Sequence, residues 1–335
     1  MESYSLLIRV VSALFVSFLL GVILSPIVIS AARKLKAGQP ILTYIDQHAE
    51  KRGTPTFGGF IFLLPAVFVS IAFLWTDGLS VGMIAMLVTL SFSVIGFLDD
   101  YIKIKTKDNM GLRPYQKILG QIAIAIIVAV YAYKSEAIGS RVYIPFLSKP
   151  IDFGFWYIPF AVFVYLALSN CVNLTDGVDG LASNCSVVYL LTFEVIFLYS
   201  AFVSGGEGTL AVFTASLLGG VIAFLLFNTN KAQIFMGDTG SLALGGASAA
   251  IALFSGQPFL ILLVGIMYVV SGISIILQVS YFKVTHGKRI FLMAPYHHHL
   301  EKKGWSEARI CTLYATVTFL MGLIAILSVV SGHAV

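Results

Sequence analysis

Five aspartates mark the stretches of this chain that could do chemistry: Asp99, Asp100, Asp176, Asp179 and Asp238. The densest polar stretch is 170–182, Asn-Cys-Val-Asn-Leu-Thr-Asp-Gly-Val-Asp-Gly-Leu-Ala. It sets Asn170, Asn173, Asp176 and Asp179 between two hydrophobic runs, and Gly177 and Gly180 each follow an acid. Carboxylates, amides and turn-permitting glycines suit a polar ligand, a metal ion, or both. Asp99-Asp100 ends another apolar run. Adjacent carboxylates at the negative end of a helix repel unless a cation is near. Lys103, Lys105, Lys107 and Lys117 follow and could supply part of that charge, and a divalent ion could supply more. In 228–241, Asn-Thr-Asn-Lys-Ala-Gln-Ile-Phe-Met-Gly-Asp-Thr-Gly-Ser, Asp238 stands between glycines just before an apolar helix. That place suits a metal ligand and equally a helix N-cap. Phe235 could stack on a base or pack at a membrane interface.

Two further motifs carry positive charge. Lys51-Arg52-Gly-Thr-Pro-Thr56-Phe-Gly-Gly precedes an apolar run. Its cations, hydroxyls and glycine turn suit an anion at a helix start, and also a plain basic flank. The other motif is Pro-Tyr-His297-His298-His299-Leu-Glu301-Lys-Lys, preceded by Lys288 and Arg289. Three consecutive histidines cannot all face one way in a helix or strand, so a three-histidine zinc site is poor geometry. Histidines among cations better suit phosphate binding or proton transfer. Cys171, Cys185 and Cys311 have no paired spacing and read as small buried residues. Glu194 lies inside an apolar run with no basic partner in view, and reads as structural or as facing a second subunit.

The elements that must position these residues are membrane helices. The chain of 335 residues is 58% hydrophobic and 11% charged, with a mean hydropathy of +0.93. Soluble domains carry about 25% charged residues. The apolar runs reach about 20 residues, the length of a spanning helix and twice that of a barrel strand. Ten spans are predicted, at 5–30, 57–75, 80–98, 116–133, 156–170, 184–203, 209–227, 239–254, 258–282 and 308–330. The glycines and alanines of the eighth permit close packing, and the ninth runs into a polar tail where it breaks or tilts. All but Arg9, Lys134, Arg141 and Lys149 of the 21 lysines and arginines lie in or beside the connections that follow odd-numbered spans. The positive-inside rule makes those connections cytoplasmic and puts both termini outside. The first run is too long for a signal peptide and reads as a retained helix. One domain is expected over 1–335, with a small extracytoplasmic hairpin at 135–154. The net charge of +5 sits in these short loops and is no nucleic-acid signal.

All the dense polar motifs therefore fall on one face. Acids among cations at cytoplasmic helix ends suit a metal-assisted reaction of phosphates. A transporter would place its polar residues near the midplane. Here the chain resembles the polyprenyl-phosphate N-acetylhexosamine-1-phosphate transferases over nearly its whole length. Asp99-Asp100, Asn-Leu-Thr-Asp-Gly-Val-Asp-Gly (173–180) and Phe-Met-Gly-Asp-Thr-Gly-Ser (235–241) carry the resemblance. Gly-Thr-Pro-Thr-Phe-Gly-Gly (53–59) and the uninterrupted histidines of 295–301 are similar to the branch that handles phospho-N-acetylmuramoyl-pentapeptide. A branch using UDP-N-acetylglucosamine is the nearer alternative, and its histidine motif is usually interrupted.

The resemblance implies a reaction of UDP-N-acetylmuramoyl-pentapeptide with undecaprenyl phosphate, giving a lipid-linked peptidoglycan precursor and UMP. It further implies Mg2+ (with Mn2+ as a possible substitute), a homodimer and a bacterial plasma membrane. It puts Asp238 on the metal, and Asp99 and Asp100 near the lipid phosphate. Around the nucleotide it places Lys51, Thr56, Asn173, Asp176, Asp179, Asn228 and Phe235. Lys117, Asn170 and His298 also fall at functional positions, with His297 and His299 beside them on the substrate.

Overall fold

A computed structural model describes residues 2–35, 53–106, 110–147, 149–205 and 208–333. Lys51 lies outside the described residues. Among the described residues the architecture is all-α apart from one two-stranded ribbon. In chain order the helices are α1 (Glu2–Lys34), α2 (Gly59–Leu74), α3 (Val81–Thr106) and α4 (Pro114–Lys134). The ribbon follows, with β1 (Arg141–Val142) antiparallel to β2 (Ile151–Asp152) and Arg141 opposite Asp152. Then come α5 (Tyr157–Thr175), α6 (Leu181–Ser204), α7 (Thr209–Asn228), α8 (Gly237–Phe254), α9 (Ile261–Val264), α10 (Ile266–Val284), α11 (Tyr296–Lys302) and α12 (Glu307–His333).

Nine of the described helices are long and apolar enough to cross a membrane. Within lipid the backbone must satisfy itself, which is why the long apolar runs close into helices. The chain is a multi-pass membrane protein. Its outer helices turn rows of large apolar side chains outward: Ile8, Phe15 and Ile23 on α1, Ile127 on α4, Ile276 on α10 and Leu327 on α12.

The predicted eighth span is α8, and it is not among the nine. Every residue of α8 but Asp238 is buried. Helices α2, α3, α5 and α6 surround it, so its side chains meet protein rather than lipid. Small residues do there what large apolar ones do at a lipid face: they let backbones approach. Gly246 packs on the Phe92 ring of α3, and Gly245 on the backbone of Ser169 in α5. The predicted ninth span divides into α9 and α10 at Gly265.

Two predicted boundaries are moved. The third span was expected to end at 98 and the fifth at 170, which would leave Asp99-Asp100 and Asn170 at helix ends. Helix α3 runs on to Thr106 and α5 to Thr175. Hydropathy reports where lipid contact stops, whereas the hydrogen-bonded ladder continues through the polar turns. Lys103 and Lys105 in the last turn of α3 favour that extension. Asp99, Asp100, Asn170 and Asn173 are therefore held on rigid helix.

Glu194 of α6 is 4% exposed, so it points into the bundle rather than toward a second subunit. Its carboxylate oxygens have no hydrogen-bond partner among the described residues.

The junction of α3 with α8 sets the geometry of the acidic motifs. A Cβ on Gly96 would collide with the carbonyl oxygen of Asp238. Both sides of that contact are helix backbone, so neither can yield cheaply. Gly96→Ala is expected to destabilise the protein by about 3 kcal/mol, as overpacking against backbone does. It should also remove activity by shifting Asp238. The check is the melting temperature in detergent together with turnover, and a variant with both unchanged would contradict this packing.

Candidate active site

Asp100 is 1% exposed and caps α8. Its Oδ1 accepts the Asp238 N–H at 3.1 Å, and its Oδ2 accepts the Thr239 N–H at 2.8 Å and the Thr239 hydroxyl at 2.7 Å. A carboxylate at these orphan N–H groups also meets the positive end of the helix dipole. The close approach requires Gly237, whose φ is +73°. A Cβ there would stand 2.5 Å from Thr56 Oγ1 and 2.6 Å from Asp100 Oδ2. Thr56 is thus a buried wall of this junction.

Asp238 follows, half-buried in the first turn of α8. Its Oδ1 accepts the Asn173 amide at 2.7 Å, and the same amide donates to Ser241 Oγ at 2.7 Å. Its Oδ2 accepts Lys117 Nζ at 2.7 Å and Lys103 Nζ at 3.2 Å. Lys103 Nζ also lies 2.5 Å from Asp99 Oδ2, and Asp99 Oδ1 accepts the Leu112 N–H at 2.9 Å. Helices α3, α4, α5 and α8 thereby each supply one side of a single cluster. Oxygens of Asp99, Asp100 and Asp238 lie within 4.8 Å of one another, which is compact enough to hold a metal ion.

The donor set fits a hard divalent cation. Carboxylate oxygens are what Mg2+ prefers, with water or phosphate completing the shell. Asp99 and Asp238 fit it better than Asp100, because both oxygens of Asp100 are engaged by α8.

A second group of residues gathers at the turn between α5 and α6. Asp179 is buried, and its Oδ2 accepts the Ala232 N–H at 2.9 Å. Asn228 Oδ1 accepts the Gly180 N–H at 3.2 Å and the Ser183 hydroxyl at 2.9 Å, while its Nδ2 donates to Ile234 O at 3.0 Å. Asn228 therefore ties the 176–180 turn to the 229–235 loop. Phe235, half-buried, pairs its backbone with the 53–59 segment: its N–H donates to Pro55 O and its carbonyl accepts from Gly58, both at 2.8 Å. Burial, and then the carboxylates of Asp238, Asp100 and Asp179, hold the Asp176 carboxyl well above the usual range. A cation or a hydrogen-bond donor arriving at this turn is correspondingly welcome.

Helix α11 brings two of its three histidines to the same turn. The place of a Cβ on Gly177 is 2.5 Å from His297 Nε2 and 3.4 Å from His298 Nε2. His298 Nδ1 pairs with Glu301 Oε2 at 2.5 Å, one helical turn on. Successive helical residues point about 100° apart. So His299 faces elsewhere: it accepts the Leu292 N–H at 3.1 Å and stacks on Tyr296. Asn170 likewise stands apart, donating to Gln121 Oε1 at 2.7 Å and to Leu166 O at 2.8 Å.

The structure thus joins Asp99, Asp100, Lys117, Asn173 and Asp238 in one cluster. It places Asp176, Asp179, Asn228, His297 and His298 around the adjoining turn. Sequence reasoning gives no role to Gln121, Ser241 and Glu301, and names Lys103 only as one of four cations near Asp99-Asp100. Lys103 and Glu301 were within reach, since Asp99/Lys103 and His298/Glu301 have the i,i+4 and i,i+3 spacings of facing helical residues. Gln121 and Ser241 find their partners only across helices.

The chain is similar to known proteins over nearly its whole length. The family model for glycosyl transferase family 4 matches residues 82–256. The phospho-N-acetylmuramoyl-pentapeptide-transferase of Clostridium botulinum (strain Eklund 17B / Type B) is 43% identical over 320 residues, 95% of this chain and 96% of that one. The protein of the same name from Clostridium perfringens (strain 13 / Type A) is 44% identical over 321 residues, 96% and 98%. That from Clostridium kluyveri (strain ATCC 8527 / DSM 555 / NBRC 12016 / NCIMB 10680 / K1) is 43% identical over 326 residues, 97% and 99%.

Proposed function

Because this chain belongs to glycosyl transferase family 4, and within it to the phospho-N-acetylmuramoyl-pentapeptide transferases, we propose that its acidic cluster performs their reaction with magnesium. The donor is a UDP-linked sugar peptide, UDP-N-acetylmuramoyl-pentapeptide, and the acceptor a polyprenyl phosphate. The specific acceptor we take to be undecaprenyl phosphate, in the plasma membrane of a bacterium, with the cluster on the cytoplasmic face, the 135–154 hairpin outside, and two chains forming a dimer. The observation that carries this reading is one cluster of Asp99, Asp100, Asp238, Lys103, Lys117 and Asn173, built from four helices in a chain whose relatives match over nearly their whole length.

Mg2+, or Mn2+ in its place, would be held by Asp238 with Asp99; when bound it neutralises diphosphate charge and stabilises departing UMP. The chain's own residues do the rest. Asn173 and Lys117 fix the Asp238 carboxylate from opposite oxygens. Asp99 faces the acceptor phosphate and takes its remaining proton or positions it. The lipid chain stays among the apolar outer helices while its headgroup reaches the end of α3. Glu301 holds His298 by Nδ1, which directs Nε2 to the nucleotide side of the turn. Phosphate oxygens arriving there meet His298 and the lysines rather than bare carboxylates.

The direct test is a detergent-solubilised assay with radiolabelled UDP-N-acetylmuramoyl-pentapeptide and a short polyprenyl phosphate. Lipid-linked product that depends on added magnesium supports the reading. Transfer from UDP-N-acetylglucosamine instead would assign the chain to the other branch.

The nucleotide pocket yields a prediction about the base. Phe235 stacks on uracil, and Asp179, held by Ala232 N–H on one oxygen, accepts the uracil N3–H on the other. Cytosine lacks that hydrogen and turns its N3 lone pair toward the carboxylate, so a CDP substrate meets repulsion where uracil meets a hydrogen bond. Such a mismatch costs about 2–3 kcal/mol, or roughly a hundredfold. The ratio of kcat/KM for UDP and CDP substrates should be about that in the natural protein and near unity in Asp179→Ala. Equal use of both substrates by the natural protein would show that Asp179 does not read the base.

A further inference from the structure

Lys103 spans two carboxylates with one ammonium. Its Nζ is 2.5 Å from Asp99 Oδ2 and 3.2 Å from Asp238 Oδ2. The remaining acidic oxygens have other donors: Leu112 N–H on Asp99 Oδ1, the Asn173 amide on Asp238 Oδ1, and the α8 start on both oxygens of Asp100. Lys117 reaches Asp238 alone. A cation held by Asp99 and Asp238 would compete with Lys103 for that Oδ2 pair.

We infer that Lys103 is a placeholder for the divalent ion: it bridges Asp99 and Asp238 in the metal-free protein, gives up both oxygens when the ion binds, and then carries its ammonium to a substrate phosphate. This rests on the reading of the acidic cluster as the metal site. Three carboxylates this close repel one another when no cation lies among them. A resident ammonium keeps the site assembled between turnovers. Lysine suits the task because its charge is a compact point on a flexible stem, whereas arginine's planar fork would lock onto one carboxylate. Its side chain is 21% exposed, so it can swing outward without backbone movement. The oxygen-rich ligands that then face it are phosphates, either the diphosphate of the nucleotide or the phosphate of the lipid.

The experiment uses the full-length protein in detergent and Mn2+ as the probe, read by electron paramagnetic resonance. Lys103→Met is expected to bind Mn2+ about tenfold tighter than the natural protein, because a charge competing for the same oxygens is gone. Lys105→Met, an exposed site on the same helix end, controls for general loss of charge and should change Mn2+ affinity much less. Equal or weaker Mn2+ binding by Lys103→Met, or an equal gain in Lys105→Met, overturns the inference. A second readout is acylation of Lys103 followed by mass spectrometry. Mn2+ should raise its labelling in the natural protein, and labelling unchanged by Mn2+ overturns the exchange. With Mn2+ present, protection by UDP assigns the released ammonium to the nucleotide, protection by a short polyprenyl phosphate assigns it to the acceptor, and protection by neither removes the phosphate role. Absence of Mn2+ binding in every variant would defeat the metal-site reading itself. Normal binding by the natural protein with no gain in Lys103→Met defeats the exchange alone.

Discussion

Asp238→Asn is expected to lower turnover by about a thousandfold while the protein stays folded, the scale of losing one charged group at a reacting centre. The amide has nearly the volume of the carboxylate, so α8 keeps its packing and its cap from Asp100. What changes is the pairing. One terminal atom can still accept from Asn173, but the other becomes an NH2 facing the ammoniums of Lys117 and Lys103, which are donors only. Lys103 keeps Asp99 as a partner, and Lys117 is 16% exposed and can turn to water. The stability loss should therefore be about 1–2 kcal/mol, well under the cost of stranding a fully buried charge. Affinity for a divalent ion should fall with activity, because the charge lost is the one that two helices and two lysines are arranged around. Activity is measured across magnesium concentrations, and Mn2+ binding is measured separately. Near-normal turnover at any magnesium level would remove Asp238 from the metal and from the reaction.

The types of the site residues were legible in the sequence, and their division of labour was only partly so. Asp99, Asp100 and Asp238 stand out because acids beside apolar runs are costly unless they face something. Their assembly into one cluster depends on α8 threading the centre of the bundle. Its glycines and alanines hinted at close packing without saying which helices would be the neighbours. Hydropathy also ended α3 and α5 too early, since it follows lipid contact rather than the backbone ladder. That shift changes the chemistry assigned to Asp100. At a helix C-terminus it would have been an unfavourable charge in need of a cation. In the structure it lies inside α3 and meets the N-terminus of α8, so the dipole that matters to it belongs to a helix 138 residues away in sequence. The histidine run was legible in one respect, that three consecutive rings cannot share a target. Which two would reach the 176–180 turn depended on the placement of α11 against α12, and no local pattern encodes that. Asn228 reads as a ligand residue in a polar stretch, but its side chain is engaged in holding two loops together.

Asp99 and Asp100 are neighbours with different work, and substitution should separate them. Asp100 accepts three hydrogen bonds, from Asp238 N–H, Thr239 N–H and the Thr239 hydroxyl, and is 1% exposed. Asp100→Ala leaves those three donors buried and unpaired at a helix start that also loses its compensating charge. Loss of a helix cap costs about 1–2 kcal/mol, and stranding buried donors adds to it, for about 3 kcal/mol in all. Activity should vanish with stability, since Asp238 lies in the first turn of the helix that Asp100 fixes. Asp99→Ala removes one ion pair with Lys103 and one acceptor for Leu112 N–H, in a place where Lys103 retains Asp238. Its stability loss should be about 1 kcal/mol, because Asp99 is buried but Lys103 keeps Asp238 as a partner. Its turnover should still fall by about a hundredfold or more if Asp99 serves the acceptor phosphate as proposed. Melting temperature in detergent and binding of a uridine nucleotide by calorimetry distinguish the two. Asp100→Ala should lower the melting temperature by several degrees and weaken nucleotide binding through the displaced α8. Asp99→Ala should melt near the natural protein and bind nucleotide normally while failing to transfer. If Asp99→Ala instead loses nucleotide binding at an unchanged melting temperature, Asp99 belongs to the nucleotide pocket. If Asp100→Ala melts normally, its three hydrogen bonds to α8 contribute little to the fold.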